Sequence, residues 1–347
     1  MHRWYSLDKQ TRINALNQVA EATGMPPYAV EKDWWVVQTL AIIFEMKTGS
    51  HLVFKGGTSL SKAWEVIERF SEDIDLAVDR SFLGSEGELS KKQKTRLRKQ
   101  ASKYISEEFY PELQEKFKEK GLDGVTFNII ETGISDQDPR IIEIFYPNVI
   151  DSPAYLKPRI QIEIGFRYLK EPYTVMPVRS LVDEHFSETD FAQKPVDIQV
   201  VNPERTLLEK IFLLHEEFQR PAEKRRINRL SRHLYDICQL SKTEYAEKAL
   251  NDKELYQTIV KHRQEFTKVG GVDYNLHQPQ TINPIPPADL TDAWKADYKT
   301  MQEHMIYGDS PNYDELIECV KEFVEKLKQV EWTMDIQFPP PVTENKK

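Results

Sequence analysis

The sequence predicts an α+β fold, with strands confined to the first two hundred residues and helices after them. Three observations carry this. Before Asn202, short apolar runs alternate with a period of two; in 159–167, Ile160, Ile162 and Ile164 point one way while Gln161 and Glu163 point the other. After Pro203 the apolar residues recur at helical spacing as far as Lys328. The composition, 39% hydrophobic and 30% charged, is that of a folded globular chain. A mixed, twisted sheet with flanking helices is therefore expected over 1–201, a mainly helical lobe over 202–335, and a disordered tail over 336–347. The cleft between two such lobes is the expected place for a ligand.

The elements follow in order. Ile13, Leu16, Val19 and Ala20 fall on one face of a helix over 7–23, which ends at Gly24. Beyond Pro26 and Pro27 a second helix is expected over 28–48, with the broad apolar surface of Trp34, Trp35, Val36, Leu40, Ile43 and Phe44. A short strand over 51–55 leads through Gly56 and Gly57 into a helix expected over 58–69, and a strand follows at 74–78. The charged stretch 91–120 reads as helical. Strands are expected at 125–131 and 141–146, joined by a polar turn through Asp136, Asp138 and Pro139. The stretch 172–203 carries prolines 172, 177, 195 and 203 and reads as irregular, apart from a short strand over 197–201.

Charge and cysteine usage narrow the class. A net charge of −9, from 47 basic and 56 acidic residues, argues against a general polyanion coat but leaves room for local basic patches. One runs from Lys91 to Lys103; the other includes Arg220, Lys224, Arg225, Arg226, Arg229 and Arg232. Solvated helix faces are the plain reading of both, with RNA contact by Arg225, Arg226 and Arg229 the alternative. No apolar run is long enough to span a bilayer, and 1–6 does not begin a secretory signal. Cys238 and Cys319 lack metal-type spacing, so buried free thiols in a reducing, cytoplasmic setting are expected.

The chemistry concentrates in 54–78. A strand enters Gly56-Gly57 and then a helix start, where backbone can approach a ligand closely and unpaired N–H groups face an anion. Thr58, Ser59 and Lys62 could join them on phosphate oxygens, although a Gly-Gly turn before a helix has an ordinary structural reading. Asp73-Ile74-Asp75 is the sharper signal. On a strand both carboxylates face one side, an arrangement that is costly unless a cation lies between them. Hard oxygen ligands suit Mg²⁺, which completes its shell with phosphates and water. Glu163, on the polar side of its strand, is the candidate third metal ligand or base; the alternative is a solvent-facing residue paired with Arg159 or Lys157. Lys210 and Asp236 sit on helices with apolar opposite faces. The lysine could stabilise charge on a triphosphate, and the aspartate could orient it or polarise an acceptor hydroxyl. No Walker P-loop, zinc motif, serine-hydrolase elbow or dinucleotide fingerprint is present.

The stretch FKGGTSLSKAWEVIERFSEDIDL closely resembles the signature of the AbiEii/AbiGii-type nucleotidyltransferase toxins, within the DNA polymerase β-like superfamily. Val30-Glu31-Lys32-Asp33-Trp34-Trp35 resembles that family's N-terminal helix motif. Pro203–Lys210 followed by Arg232-His233-Leu234-Tyr235-Asp236 resembles its downstream pair, with His233 where an aspartate is common. The resemblance implies a polymerase β-like core and places Lys210 and Asp236 in the active site with Asp73 and Asp75. It also implies Mg²⁺-dependent transfer of a nucleoside monophosphate from an NTP to an acceptor hydroxyl, with the tRNA 3′ end as acceptor in some relatives. The role implied is that of toxin in a type IV toxin–antitoxin pair, with phage defence or growth arrest as outcome and a cognate antitoxin as partner. Two readings compete: a small-molecule nucleotidyltransferase of the antibiotic-modifying kind, and a degenerate fold that binds nucleotide or RNA without chemistry. The intact Asp73/Asp75 pair argues against the second.

Overall fold

The computed structural model describes residues 3–71, 73–130, 139–152, 157–166 and 172–341. The chain divides into two units: Met1–Trp64 with Phe70–Val201, and Glu65–Arg69 with Asn202–Lys347.

In the first unit, among the described residues, seven strands form one mixed sheet. They are β1 (Leu52–Lys55), β2 (Asp73–Val78), β3 (Thr126–Ile129), β4 (Arg140–Phe145), β5 (Arg159–Gly165), β6 (Tyr173–Val178) and β7 (Val196–Val201), in the order β3-β4-β5-β2-β1-β7-β6. β2 runs parallel to β5, and β1 parallel to β7; the other pairs are antiparallel. The alternation of β5 is realised in full: Ile160, Ile162 and Ile164 are completely buried, while Gln161 and Glu163 are half-buried. β6 departs from the expected irregular stretch. It is an edge strand, and Pro177, opposite Asp197, is tolerated because an edge leaves one side of the ladder unpaired. The expected polar turn at Asp136 and Asp138 lies outside the described residues.

The unit's helices are α1 (Arg3–Ser6), α2 (Lys9–Thr23), α3 (Pro27–Phe44), α4 (Gly56–Lys62), α5 (Lys91–Tyr104), α6 (Tyr110–Glu119) and α7 (Leu181–His185). The Asp8 carboxylate caps α2 by accepting from Thr11 N, and Gly24 ends it in the left-handed region. α3 is buried almost all round. Trp34 and Trp35 meet edge to face at 5.0 Å, and Trp35 stacks on Tyr146 at 5.2 Å. Glu31, Lys32 and Asp33 are buried with them, so each requires a partner. Glu31 accepts from the backbone N–H groups of Val149 and Ile150, and Lys32 donates to Lys157 O. Asp33 accepts from Leu181 N and pairs with Lys62. α4 stops at Lys62 rather than near Arg69, and Glu65 at φ 52° adopts a conformation that no right-handed helix can continue.

The second unit carries, among its described residues, helices α8 (Pro203–Gln219), α9 (Ser231–Leu240), α10 (Glu244–Asn251), α11 (Lys253–Phe266), α12 (Thr291–His304) and α13 (Tyr313–Lys328). α8 packs on α9, α10 and α11, and α9 on α12 and α13. The cysteines correct the expectation of free thiols. Cys238 on α9 and Cys319 on α13 are joined as a disulfide, their Cα atoms 5.6 Å apart. Their separation of 81 residues conceals that their helices lie side by side. Segment 65–69 belongs to this unit as a non-helical strip. Arg69 forms a β-bridge with Ile306, and Glu68 O accepts from Tyr307 N and Gly308 N. At the start of the expected tail, Phe338 N donates to the Asn275 side chain, whose amide donates back to Phe338 O. Residues 342–347 lie outside the described residues. No helix among the described residues is long and apolar enough to cross a membrane.

Candidate active site

The sheet register arranges the candidate residues of the first unit. Lys55 on β1, Asp75 on β2, Glu163 on β5 and Ile141 on β4 lie side by side across the sheet; Asp73, Gln161, Glu143 and Asn128 form the next row. Residues two apart share a face, so Asp73, Asp75 and Glu163 stand on one side. Ile74, Leu76, Ile162 and Ile164 fill the core on the other. Adjacent strands are about 4.8 Å apart, so Asp75 and Glu163 are direct cross-strand neighbours. Arg159 pairs with Glu143. Glu163 accepts a 3.4 Å hydrogen bond from Gln161 Nε2. Among the described residues, no three His, Cys, Asp or Glu side chains converge as a ready-made metal cage. The donor set nonetheless fits Mg²⁺, which needs only one or two carboxylates and draws its other ligands from phosphates and water.

Gly56 explains the first glycine. Its φ is +80°, and a Cβ there would overlap Asp75 Oδ2. The turn thus presses bare backbone against the carboxylate strand, as only glycine permits. Gly56→Ala is expected to lower nucleotidyl transfer by about 10²-fold, because displacing a reacting group by an ångström costs that much. Steady-state rates, with circular dichroism to verify the fold, check this.

The remaining residues expected at the phosphate are placed differently. Gly57 and Thr58 are buried, and the Thr58 hydroxyl donates to Asp73 O, tying α4 to β2. Ser59 is fully buried and donates to Gly56 O at 2.9 Å, bracing the turn. Lys62 Nζ lies 3.0 Å from Asp33 Oδ1, with both side chains about 10% exposed. Its ammonium, expected at phosphate, is paired with α3 here.

In the second unit, Asp236 on α9 is completely buried and accepts from two cations. Arg69 Nε and Nη2 donate to its two oxygens at 2.6 and 2.7 Å, and Lys210 Nζ on α8 lies 2.7 Å from Oδ2. Burial pushes the Asp236 carboxyl up, but Arg69 and Lys210 together outweigh it and hold the group well below the usual carboxylate range. Burial lowers the Lys210 ammonium; Asp236 opposes this and the nearby Arg69 charge adds to it. Burial, then the charges of Lys210 and Arg232, push His233 well down, so it adds no further cation at neutral pH. Asp236 thus sits within ion-pair distance of Lys210, the contact through which one of its two expected roles, orienting that lysine, would act. The other, that it polarises an acceptor hydroxyl, does not fit a side chain with no exposure and both oxygens engaged.

Sequence reasoning missed Arg69. It stood inside the quoted motif, but an arginine ahead of a strand carries no sign of a partner 167 residues away. The arginines expected at RNA are largely engaged within the chain. Arg226 donates to Glu217 through Nε and Nη2, and Arg225 Nε donates to Arg220 O. Arg229 has φ 62° and donates its N–H to Asp297.

Comparison with known proteins completes the picture. No curated protein sequence matches the chain. MenT4, the nucleotidyltransferase toxin Rv2826c from Mycobacterium tuberculosis H37Rv, is 17% identical with a TM-score of 0.42, over 93% of this chain and 98% of its own. JHP933 from Helicobacter pylori is 13% identical with a TM-score of 0.37, over 86% of this chain and 90% of its own. A family model described as "Nucleotidyl transferase AbiEii toxin, Type IV TA system" matches residues 40–329. The chain belongs to the AbiEii family of nucleotidyltransferase toxins of type IV toxin–antitoxin systems.

Proposed function

We propose that this nucleotidyltransferase moves a nucleoside monophosphate from an NTP to a hydroxyl of RNA, the 3′ end of tRNA being the acceptor, on a polymerase β-like core that uses Mg²⁺. The observation that carries the reading is the register of β2 and β5, which sets Asp75 beside Glu163 and keeps Asp73 on the same face. Asp73 and Asp75 would hold the metal, with Glu163 as third oxygen donor. When bound, the ion supplies positive charge for the triphosphate and the attacking oxygen. The backbone of Gly56 and Gly57 gives a phosphate close approach, and Lys210, aimed by Asp236, supplies a cation for the charge that grows on the leaving group. The acceptor oxygen forms the new bond to the α-phosphorus as the bond to the bridging oxygen breaks. Pyrophosphate departs, and the carboxylate face takes the hydroxyl proton. In its host the protein would act as the toxin opposite a cognate antitoxin, inside the cytoplasm, with phage defence or growth arrest as the outcome.

The test is a transfer assay with purified protein, Mg²⁺, each of four α-labelled NTPs and total bacterial tRNA. Label in tRNA with one or more NTPs supports the reading, and the set that works gives the nucleotide preference. NTP binding without RNA labelling, together with label on a small hydroxylated acceptor such as an aminoglycoside, would replace RNA as the acceptor.

A further inference from the structure

α5 is the most one-sidedly charged helix among the described residues. Between Lys91 and Tyr104 it carries seven basic residues and no acidic one, in a protein whose net charge is −9. Lys92, Arg96, Lys99 and Lys103 recur at i, i+4, i+7 and i+11, which places them on one stripe about 16 Å long. All four are exposed, while Leu97, Ala101 and Tyr104 are buried on the opposite side. Lys103 has Glu107 at 3.7 Å; Lys92, Arg96 and Lys99 have no acidic partner among the described residues.

Two features set this apart from an ordinary solvated face. Lys91 and Lys92 occupy the first turn, where the helix dipole disfavours cations, and the capping box there uses neutral Gln93 where a glutamate would compensate. The second basic run, by contrast, is neutralised within the chain: Glu217 receives both Arg220 and Arg226. The exposed positions of α5 include no aromatic or aliphatic anchor. A protein partner needs such an anchor to build a buried interface core, and base stacking needs an aromatic platform. A row of cations alone suits a phosphate backbone.

We propose that the Lys92–Arg96–Lys99 stripe is a docking surface for the phosphate backbone of RNA. It deepens the reading of RNA as the acceptor, on which it rests. It also moves the RNA contact away from the arginines at 225–229. Binding through it depends on salt and not on base sequence.

The experiment measures binding of bulk bacterial tRNA to the full-length protein by fluorescence anisotropy between 50 and 200 mM KCl, for wild type and K92Q/R96Q/K99Q. A triple variant at other exposed lysines, K295Q/K299Q/K321Q, is the control. The α5 variant is expected to bind at least about 10-fold more weakly, with the slope of log K against log salt reduced by about 2 to 3. Its NTP binding and the control's tRNA binding should match wild type. Unchanged affinity and slope in the α5 variant would overturn the proposal, as would wild type that binds no tRNA. Equal competition by poly-glutamate would overturn RNA as the partner. Transfer and binding fail separately: tRNA bound through the stripe but never labelled sinks the acceptor reading alone, and tRNA labelled normally by the α5 variant sinks the stripe alone.

Discussion

Asp236→Ala is expected to destabilise the protein by about 3–5 kcal/mol, because it leaves two buried cations without their shared counter-ion. Arg69 and Lys210 are only 1% and 6% exposed, so water cannot replace the lost carboxylate. Neighbouring like charges worsen the loss, since Arg232 also acts on Lys210. A fall in Tm of roughly 10 °C follows for a chain of this size, measured by differential scanning calorimetry. The pH dependence gives an independent check. A carboxyl held below its ordinary value contributes stability that is fully present above the unfolded aspartate range near pH 4. That stability is lost as the pH falls through the native value. The gap in Tm between wild type and variant should therefore be constant from pH 7 to about pH 5 and narrow as the pH drops below about 4. A gap that persists unchanged to pH 2 would mean that the carboxylate charge is not what Arg69 and Lys210 rely on.

Asp75→Asn should do the reverse, abolishing activity while leaving the fold intact. Asparagine keeps the shape of the side chain on β2 and its place opposite Lys55 and Glu163, but loses the charge. Removing one preorganised charged group from a transition state costs on the order of 10²–10³-fold in rate, and a metal ligand more. Transfer is expected to fall at least 10³-fold, with Tm within about 2 °C of wild type. A variant that keeps a tenth of the wild-type rate would rule out Asp75 as the central carboxylate.

These two sites differ in how far the sequence exposes them. Asp73 and Asp75 are legible because a period of two is local: their spacing alone places both on one face, and the polar side of β5 suggests Glu163. The same alternation announces most of the sheet. β6 escapes because Pro177 argues against a strand unless it is known to lie on an edge, and edges are a property of the whole sheet. The helix after Gly57 reads too long because its apolar spacing continues past Lys62, whereas Glu65 at φ 52° breaks it. Ser59 and Lys62 look available for phosphate because composition cannot show that one hydroxyl turns back to Gly56 and one ammonium reaches Asp33. Arg69 and the Cys238–Cys319 bond depend on pairings across 167 and 81 residues, for which no local period exists.

The strip 65–69 also bears on how the chain is made. Arg69 leaves the ribosome 167 residues ahead of Asp236, and at typical synthesis rates the wait is on the order of ten to thirty seconds. Throughout that time the guanidinium that finally lies buried has no carboxylate to receive it, so the helical unit is completed late, after most of the chain has emerged. For the same reason an expression fragment that begins at Asn202 is expected not to fold as an autonomous domain. It lacks the strand partner of Ile306 and half the counter-charge of Asp236, and supplying 65–69 as a separate peptide should raise its melting temperature.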